Sequence, residues 1–369
     1  MTVLVLTGGC SSSSDSSERP PRPVVIPGQA SARPGHDQGH GEAHDSAPAL
    51  QRLPDSWRSV PWATHRAGRA PSRRAVIPGV LDGHGAPARL AHQVPGSPHG
   101  HGWATERVLF LGRDGRWRAL DLADLGLPER WWPGPDSSQA GALSTDGRTW
   151  AAPTLSGVVL VDLITGEHHH VAFPRTSPEV RHVAWVPGTH VVSAYASSPE
   201  GRRFTTFRLG RRGAPQQASY DGSRSTFDVD GAPVAIVSGG RSLSLSRSVE
   251  VGPIALQWSL PFRFARGTPF GVFSDEDVAL LQPTHDDRRP RTVWVFDKVS
   301  GEALERLRVP IHSAIDGWTE HGALIMTISH RHVVTWDPAT GAFHRWLELA
   351  PPDPAPGDRA DDAIALPAR

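Results

Sequence analysis

From about residue 55 to 349 the chain alternates short apolar runs, rich in Val, Leu and Trp, with clusters of Gly, Asp and Pro. No stretch holds apolar residues at the i, i+3, i+4 spacing of a helix for a useful length, so the pattern predicts strands and tight turns. The clearest unit spans 141–173. In it Trp150-Ala151-Ala152, Val158-Val159-Leu160-Val161 and Val171-Ala172-Phe173 are the apolar runs. Asp146-Gly147 supplies one turn with positive φ, and Thr165-Gly166 closes the next, with Gly in the left-handed region.

Four phrases recur near the ends of apolar runs. They are Leu120-Asp121-Leu122, Asp162-Leu163-Ile164-Thr165-Gly166, Asp297-Lys298-Val299-Ser300-Gly301 and Asp337-Pro338-Ala339-Thr340-Gly341. The aspartates are 41, 135 and 40 residues apart, and 135 is three steps of 45. A step of roughly 40–45 residues built from short strands predicts an all-β β-propeller. Between Asp162 and Asp297 the phrase is lost. Residues 203–210 fill the third slot, and either 242–251 or 255–264 fills the fourth.

The unit with Asp146-Gly147-Arg148 before a strand and Asp162-x-x-Thr165-Gly166 after one resembles a WD40-type blade. Trp336-Asp337 supplies the WD dipeptide itself in the last repeat, 313–349. The resemblance is to a divergent bacterial WD40-like or quinoprotein-like propeller, and it covers 140–349 better than 55–139. Counting slots gives six repeats after residue 104, and seven blades is the favoured count, with six or eight admitted. Residues 55–103 then add the seventh blade or complete the last one.

Composition removes some functions. Lys+Arg and Asp+Glu are both 38, so the formal net charge is zero and the basic excess of a general nucleic-acid binder is missing. Lys298 is the single lysine. The preference for Arg, with abundant Ala, Gly and Pro, fits a GC-rich coding sequence. No apolar run reaches the roughly 18 residues needed to span a bilayer.

The one cysteine, Cys10, follows Val3-Leu4-Val5-Leu6-Thr7-Gly8-Gly9 and precedes a serine-rich stretch. This order resembles the lipobox of bacterial lipoproteins, although Thr7 stands where that motif has leucine and no basic residues precede the apolar run. A start codon upstream of Met1 would supply them. The resemblance implies a signal peptide over 1–9, a lipidated Cys10 and a protein held on the outer face of the cell membrane by its acyl chains alone. Residues 10–50 read as a disordered tether rich in His, Ser and Pro, 51–349 as the propeller, and 350–369 as a disordered tail. Within the tether His36, His40 and His44 are four apart, a spacing that would align imidazoles on a helix for Zn, Ni or Cu. Gly35, Gly39 and Gly41 disfavour that helix, so a solvated linker is the default.

Candidate sites follow from residue chemistry. Trp117, Trp150, Trp185, Trp294 and Trp336 lie on strands and are expected to pack between blades. Trp131 and Trp132, in a Pro/Gly-rich connection, form the candidate platform for a sugar or peptide. His168-His169-His170 lies on a strand, so only His168 and His170 share a face. Asp275-Glu276-Asp277 and Asp286-Asp287 are paired carboxylates in polar turns, and solvated loops are the expectation there. Ser144-Thr145-Asp146-Gly147 resembles the Asp-box of sialidase propellers but is one residue short, and reads as a blade turn.

No catalytic-elbow, zinc-helix, phosphate-loop or dinucleotide motif is present. No cofactor is therefore expected. The leading functional expectation is a non-catalytic binding or scaffold protein for a peptide, protein or cell-wall glycan. An extracytoplasmic glycan-active hydrolase or lyase with its site in the central funnel is the alternative, followed by metal capture through the tether histidines.

Overall fold

A computed structural model describes residues 48–367 apart from single positions and short stretches, the longest being 96–104, 128–140, 198–203, 219–224, 260–269, 283–289 and 350–362. Cys10, His36, His40, His44, Trp131, Trp132, Asp286 and Asp287 lie outside the described residues.

The first two strands, β1 (Leu50–Arg52) and β2 (Gly68–Arg69), belong to a strap considered below. Blade 1 contains β3 (Ala88–Pro95), β4 (Thr105–Gly112) and β5 (Trp117–Asp121). Blade 2 contains β6 (Ala142–Leu143), β7 (Thr149–Thr154), β8 (Gly157–Asp162) and β9 (His168–Ala172). Blade 3 contains β10 (Glu179–Trp185), β11 (Val192–Ser197), β12 (Phe204–Leu209) and β13 (Gln216–Gln217). Blade 4 contains β14 (Ser225–Phe227), β15 (Pro233–Gly239), β16 (Ser242–Val249) and β17 (Gly252–Ser259). Blade 5 contains β18 (Phe270–Phe273), β19 (Asp277–Gln282), β20 (Arg291–Asp297) and β21 (Ala303–Val309). Blade 6 contains β22 (Ala314–Trp318), β23 (Leu324–Ile328), β24 (His332–Trp336) and β25 (Phe343–Glu348). The last strand, β26 (Ala363–Ala365), returns to blade 1.

The fold is therefore an all-β propeller, and the described residues make six sheets, within the expected range but one short of the favoured seven. The third and fourth slots are filled by β12 and β16, so three steps do separate Asp162 from Asp297.

Two segments account for the missing blade. The described residues of 48–87 build no sheet of their own. They form the strap, which runs along outer blade edges: β1 pairs in parallel with β21, β2 pairs in parallel with β25, and Gly79 bridges Ala119 on β5. At the other end, part of the 350–369 segment, expected to be disordered, is ordered in the described residues. β26 pairs antiparallel with β3 and supplies the inner strand that blade 1 otherwise lacks. Leu366 and Ala365 pack on buried residues of the ring, which gives the Ala-Ile-Ala-Leu run its reason to order.

The apolar runs of blades 1, 2 and 6 are continuous because these blades are covered on both faces. On β8, Val159 and Val161 pack with Val108, Phe110 and Leu120 of blade 1, while Val158 and Leu160 pack with Val183 and Ala194 of blade 3. Blade 6 divides the same way: Leu324 and Met326 face Val295 and Leu307 of blade 5, and Ile325 meets Leu90 and Leu111 of blade 1. That last contact joins the final blade to the first. Among the described residues these contacts link blades 5, 6, 1, 2 and 3 in succession.

Candidate functional site

In each four-stranded blade the turn between the first and second strands and the turn between the third and fourth lie at the same end of the ring. Three of the latter turns are built alike. Asp162 Oδ1 accepts the amides of Ile164 (2.9 Å) and Thr165 (3.1 Å), and the Gly166 amide donates to the Asp162 carbonyl at 2.8 Å. Asp297 Oδ1 accepts from the Val299 amide, the Ser300 amide and the Ser300 hydroxyl, and Gly301 closes the turn. Asp337 repeats the arrangement with Ala339, Thr340 and Gly341. Gly166, Gly301 and Gly341 have φ of 76°, 72° and 70°, which explains glycine at that position.

The carboxylates are thus committed to their own backbone. Burial opposes ionisation of Asp162, but the Thr165 amide, the Arg148 side chain 2.9 Å away and the Ile164 amide together hold its carboxyl below the ordinary range. Both hydrogen bonds from Ser300 do the same for Asp297.

Asp121 is not a fourth copy. It ends β5, the outer strand of blade 1, and pairs with Arg107 at 3.2 Å before a single 3₁₀ turn over Leu122–Leu125. The turn that corresponds to the other three is at Asp114, whose carboxylate takes the Arg116 amide and the Arg118 guanidinium. The 41-residue step to Asp162 therefore joins positions that are not equivalent.

Asp146 and Gly147 form the turn between β6 and β7, as expected of a blade turn. Asp146 Oδ1 accepts from the Ser144 hydroxyl and the Arg148 amide, and Gly147 adopts φ 69°. The Ala88 amide donates to the Gly147 carbonyl at 2.7 Å, tying blade 1 to blade 2 at this end of the ring.

Trp150, Trp185 and Trp336 are buried between blades, Trp294 is buried, and Trp117 is half-buried. Trp185 Nε1 donates to the Ala142 carbonyl of the preceding blade, and Trp318 Nε1 donates to the Val272 carbonyl of its own preceding blade. These indoles act as blade-to-blade pins. His168 and His169 are exposed, whereas His170 Nε2 lies 3.0 Å from Thr154 Oγ1. Burial lowers the His170 pKa, which favours the neutral ring. Among the described residues no group of three His, Cys, Asp or Glu side chains is placed to hold a metal ion.

Sequence reasoning missed two features. The first is Lys298, in the blade 5 turn, whose Nζ donates to Asp228 Oδ1 of blade 4 at 3.0 Å and to the Ser274 carbonyl at 3.1 Å. Asp277 and Asp297 stand opposite each other beside it. Burial, Glu276 and Asp297, in that order, push the Asp277 carboxyl up.

The second is Asp316 on β22, the innermost strand of blade 6, at a register shift between Ile315 and Gly317. Burial pushes its carboxyl up to about 7 although Thr327 Oγ1 donates to it at 2.8 Å. A carboxyl of that kind is a proton donor or acceptor near neutral pH. No signal in the local run Ala314-Ile315-Asp316-Gly317 marks it beyond one acidic residue inside an apolar strand.

The chain matches no protein-family model and no curated protein sequence. Among solved structures it is similar to a chain of the mitotic checkpoint complex, with 14% identity over 89% of this chain and 91% of that one, at a TM-score of 0.44. An acylaminoacyl peptidase from Pyrococcus horikoshii gives 10% identity over 65% of this chain and 41% of that one, at 0.43. BamB from Moraxella catarrhalis gives 15% identity over 55% and 62%, at 0.32.

Proposed function

We propose that this protein is a non-catalytic binding or scaffold propeller, lipid-anchored through Cys10 on the outer face of the cell membrane, with a protein, peptide or cell-wall glycan as its partner. The observation that carries the reading is how the ring spends its polar groups. Asp162, Asp297 and Asp337 fold their own turns, and Lys298 and the indoles of Trp185 and Trp318 link blades. Such a ring is a pre-organised platform, and pre-organisation lowers the entropy cost of binding. The anchor rests on the order of residues around Cys10 alone.

Two experiments test the two halves. Labelling cells with a palmitate analogue should tag the wild-type chain and not Cys10→Ser, and equal labelling of both ends the anchor. Chemical cross-linking of the full chain in its native envelope should recover one partner repeatedly. A survey with no reproducible partner, together with turnover of an envelope glycan by the purified chain, would replace the scaffold by an enzyme.

That second reading, a glycan-active hydrolase or lyase, is favoured by one group, Asp316 on an inner strand, whose carboxyl burial pushes up to about 7. Loss of such turnover in Asp316→Asn, with the fold retained, would establish it.

A further inference from the structure

The strap meets two outer strands through the same construction, and the two meetings differ in charge. On blade 6, Gly68 is in register with Leu347 and Arg69 with Glu348, and Arg69 Nε lies 3.0 Å from Glu348 Oε2. On blade 5, forty residues earlier in the outer strand, Gln51 is in register with Leu307 and Arg52 with Arg308. Leu307 and Leu347 are both fully buried, so they fix the same position in each blade. The repeat that closes an ion pair in blade 6 places two arginines in register in blade 5.

In-register neighbours of a parallel pair project from the same face, and like charges there oppose the pairing. Both Arg52 and Arg308 are exposed. Among the described residues neither has a carboxylate in ion-pair contact. Arg306, two residues before Arg308 and therefore on the same face, adds a third guanidinium. It lies over the Trp294 ring at 5.5 Å, and its buried Nε has no acceptor. The nearest carboxylate in the ladder, Glu305, is on the opposite face and accepts a hydrogen bond from Gln51 Nε2 at 3.0 Å.

We infer that Arg52, Arg306 and Arg308 on the outer face of blade 5 form a binding site for a phosphate group. A phosphate presents several oxygens to two guanidinium forks at once, and Arg is the side chain whose geometry matches it. The phosphate supplies in blade 5 the negative charge that Glu348 supplies in blade 6. Its source is either a soluble phosphate compound or the headgroup of an anionic lipid, and the site sits where the strap first meets the ring, beside Leu50. This inference is independent of the partner proposed above.

Titration of the full chain with inorganic pyrophosphate by calorimetry at low salt tests it. Wild type should bind, with an affinity that falls as salt rises. Arg308→Glu, which copies the blade 6 ion pair into blade 5, should weaken binding at least tenfold while raising the melting temperature of the ligand-free protein. Arg52→Gln should weaken binding similarly, and Arg69→Gln should leave it unchanged. A second arm uses phosphatidylglycerol vesicles against phosphatidylcholine vesicles. Selective retention of wild type, lost in Arg308→Glu, assigns the phosphate to a lipid headgroup, and pyrophosphate binding without retention assigns it to a soluble compound. The site is overturned if wild type binds neither probe, or if Arg308→Glu and Arg52→Gln bind as wild type does.

Discussion

Lys298 Nζ reaches across from blade 5 to Asp228 Oδ1 of blade 4 at 3.0 Å, with Asp228 only 4% exposed. The lone lysine of the chain thus supplies the opposite charge to a buried carboxylate that also accepts from the Val229 amide. Its second hydrogen bond, to the Ser274 carbonyl, fixes the turn between the first two strands of blade 5.

Removing that ammonium takes the counter-charge away from a buried carboxylate, which keeps the Val229 amide at 2.8 Å. Lys298→Met should cost about 2–4 kcal/mol, toward the lower end because the lysine keeps some solvent contact. The double variant Lys298→Met/Asp228→Asn should recover much of the loss, since both charges are then gone. Urea titration of the four proteins in this cycle gives the coupling directly. A single variant as stable as wild type would mean that solvent already neutralises Asp228.

The ring is closed by β26, so deletion of residues 363–369 should leave the β3 edge unpaired. At about 1 kcal/mol per backbone hydrogen bond the truncation should cost on the order of 2–4 kcal/mol. It should also promote self-association through the freed edge. A synthetic peptide covering 361–369 should restore the melting temperature when added in excess, which differential scanning fluorimetry would read. No effect of the deletion would show that the ring holds without its terminal strand.

The repeat was legible because two local rules agree along it. Asp162, Asp297 and Asp337 each need an Asx turn, and each is followed by a Thr or Ser and then a Gly with positive φ. What was not legible depends on long-range pairing. The strap residues Gln51 and Arg69 find partners 254 and 279 positions away, and short polar segments carry no periodicity that predicts such contacts. Ala363-Ile364-Ala365 is too short to read as a strand until a blade with a vacant inner position exists to receive it. Asp121 misled for the opposite reason: a Leu-Asp-Leu phrase occurs wherever a strand ends, whichever strand it is. Asp316 was missed because its altered acidity comes from enclosure by the folded ring, which no neighbour in sequence supplies.

The acidity of Asp316 makes stability depend on pH. Its folded-state pKa, about 7, is raised above the ordinary carboxyl value, so the folded chain holds the proton more tightly than the unfolded one. The contribution is complete below about pH 4, the usual aspartate range. It is lost as pH rises toward 7, because only the unfolded chain ionises over that interval, and it stays lost above. Asp316→Asn keeps an oxygen to accept from Thr327 but cannot ionise. Its stability should therefore lack this decline and exceed that of wild type at pH 8, by an amount on the order of a few kcal/mol. Denaturant midpoints at pH 5 and pH 8 decide the matter. Parallel pH profiles for the two proteins would place the proton elsewhere.

Gly166 and Gly322 separate backbone strain from strap packing. Both have φ of 76°, so Ala at either position meets the same left-handed penalty, roughly 1–2 kcal/mol. They differ in what surrounds the missing Cβ. At Gly322 it would enter open space, whereas at Gly166 it would lie 2.8 Å from the backbone of Leu81, where the strap crosses onto blade 2. Gly322→Ala should cost only the penalty of the turn. Gly166→Ala must also push the strap outward, so it should cost more by about 1–3 kcal/mol, as overpacking does. Hydrogen exchange should then report faster exchange at Gly85, whose amide donates to the Ile164 carbonyl at 3.0 Å, in the Gly166 variant alone. Equal losses from the two substitutions, with Gly85 protected in both, would mean that the strap does not bear on this turn in solution.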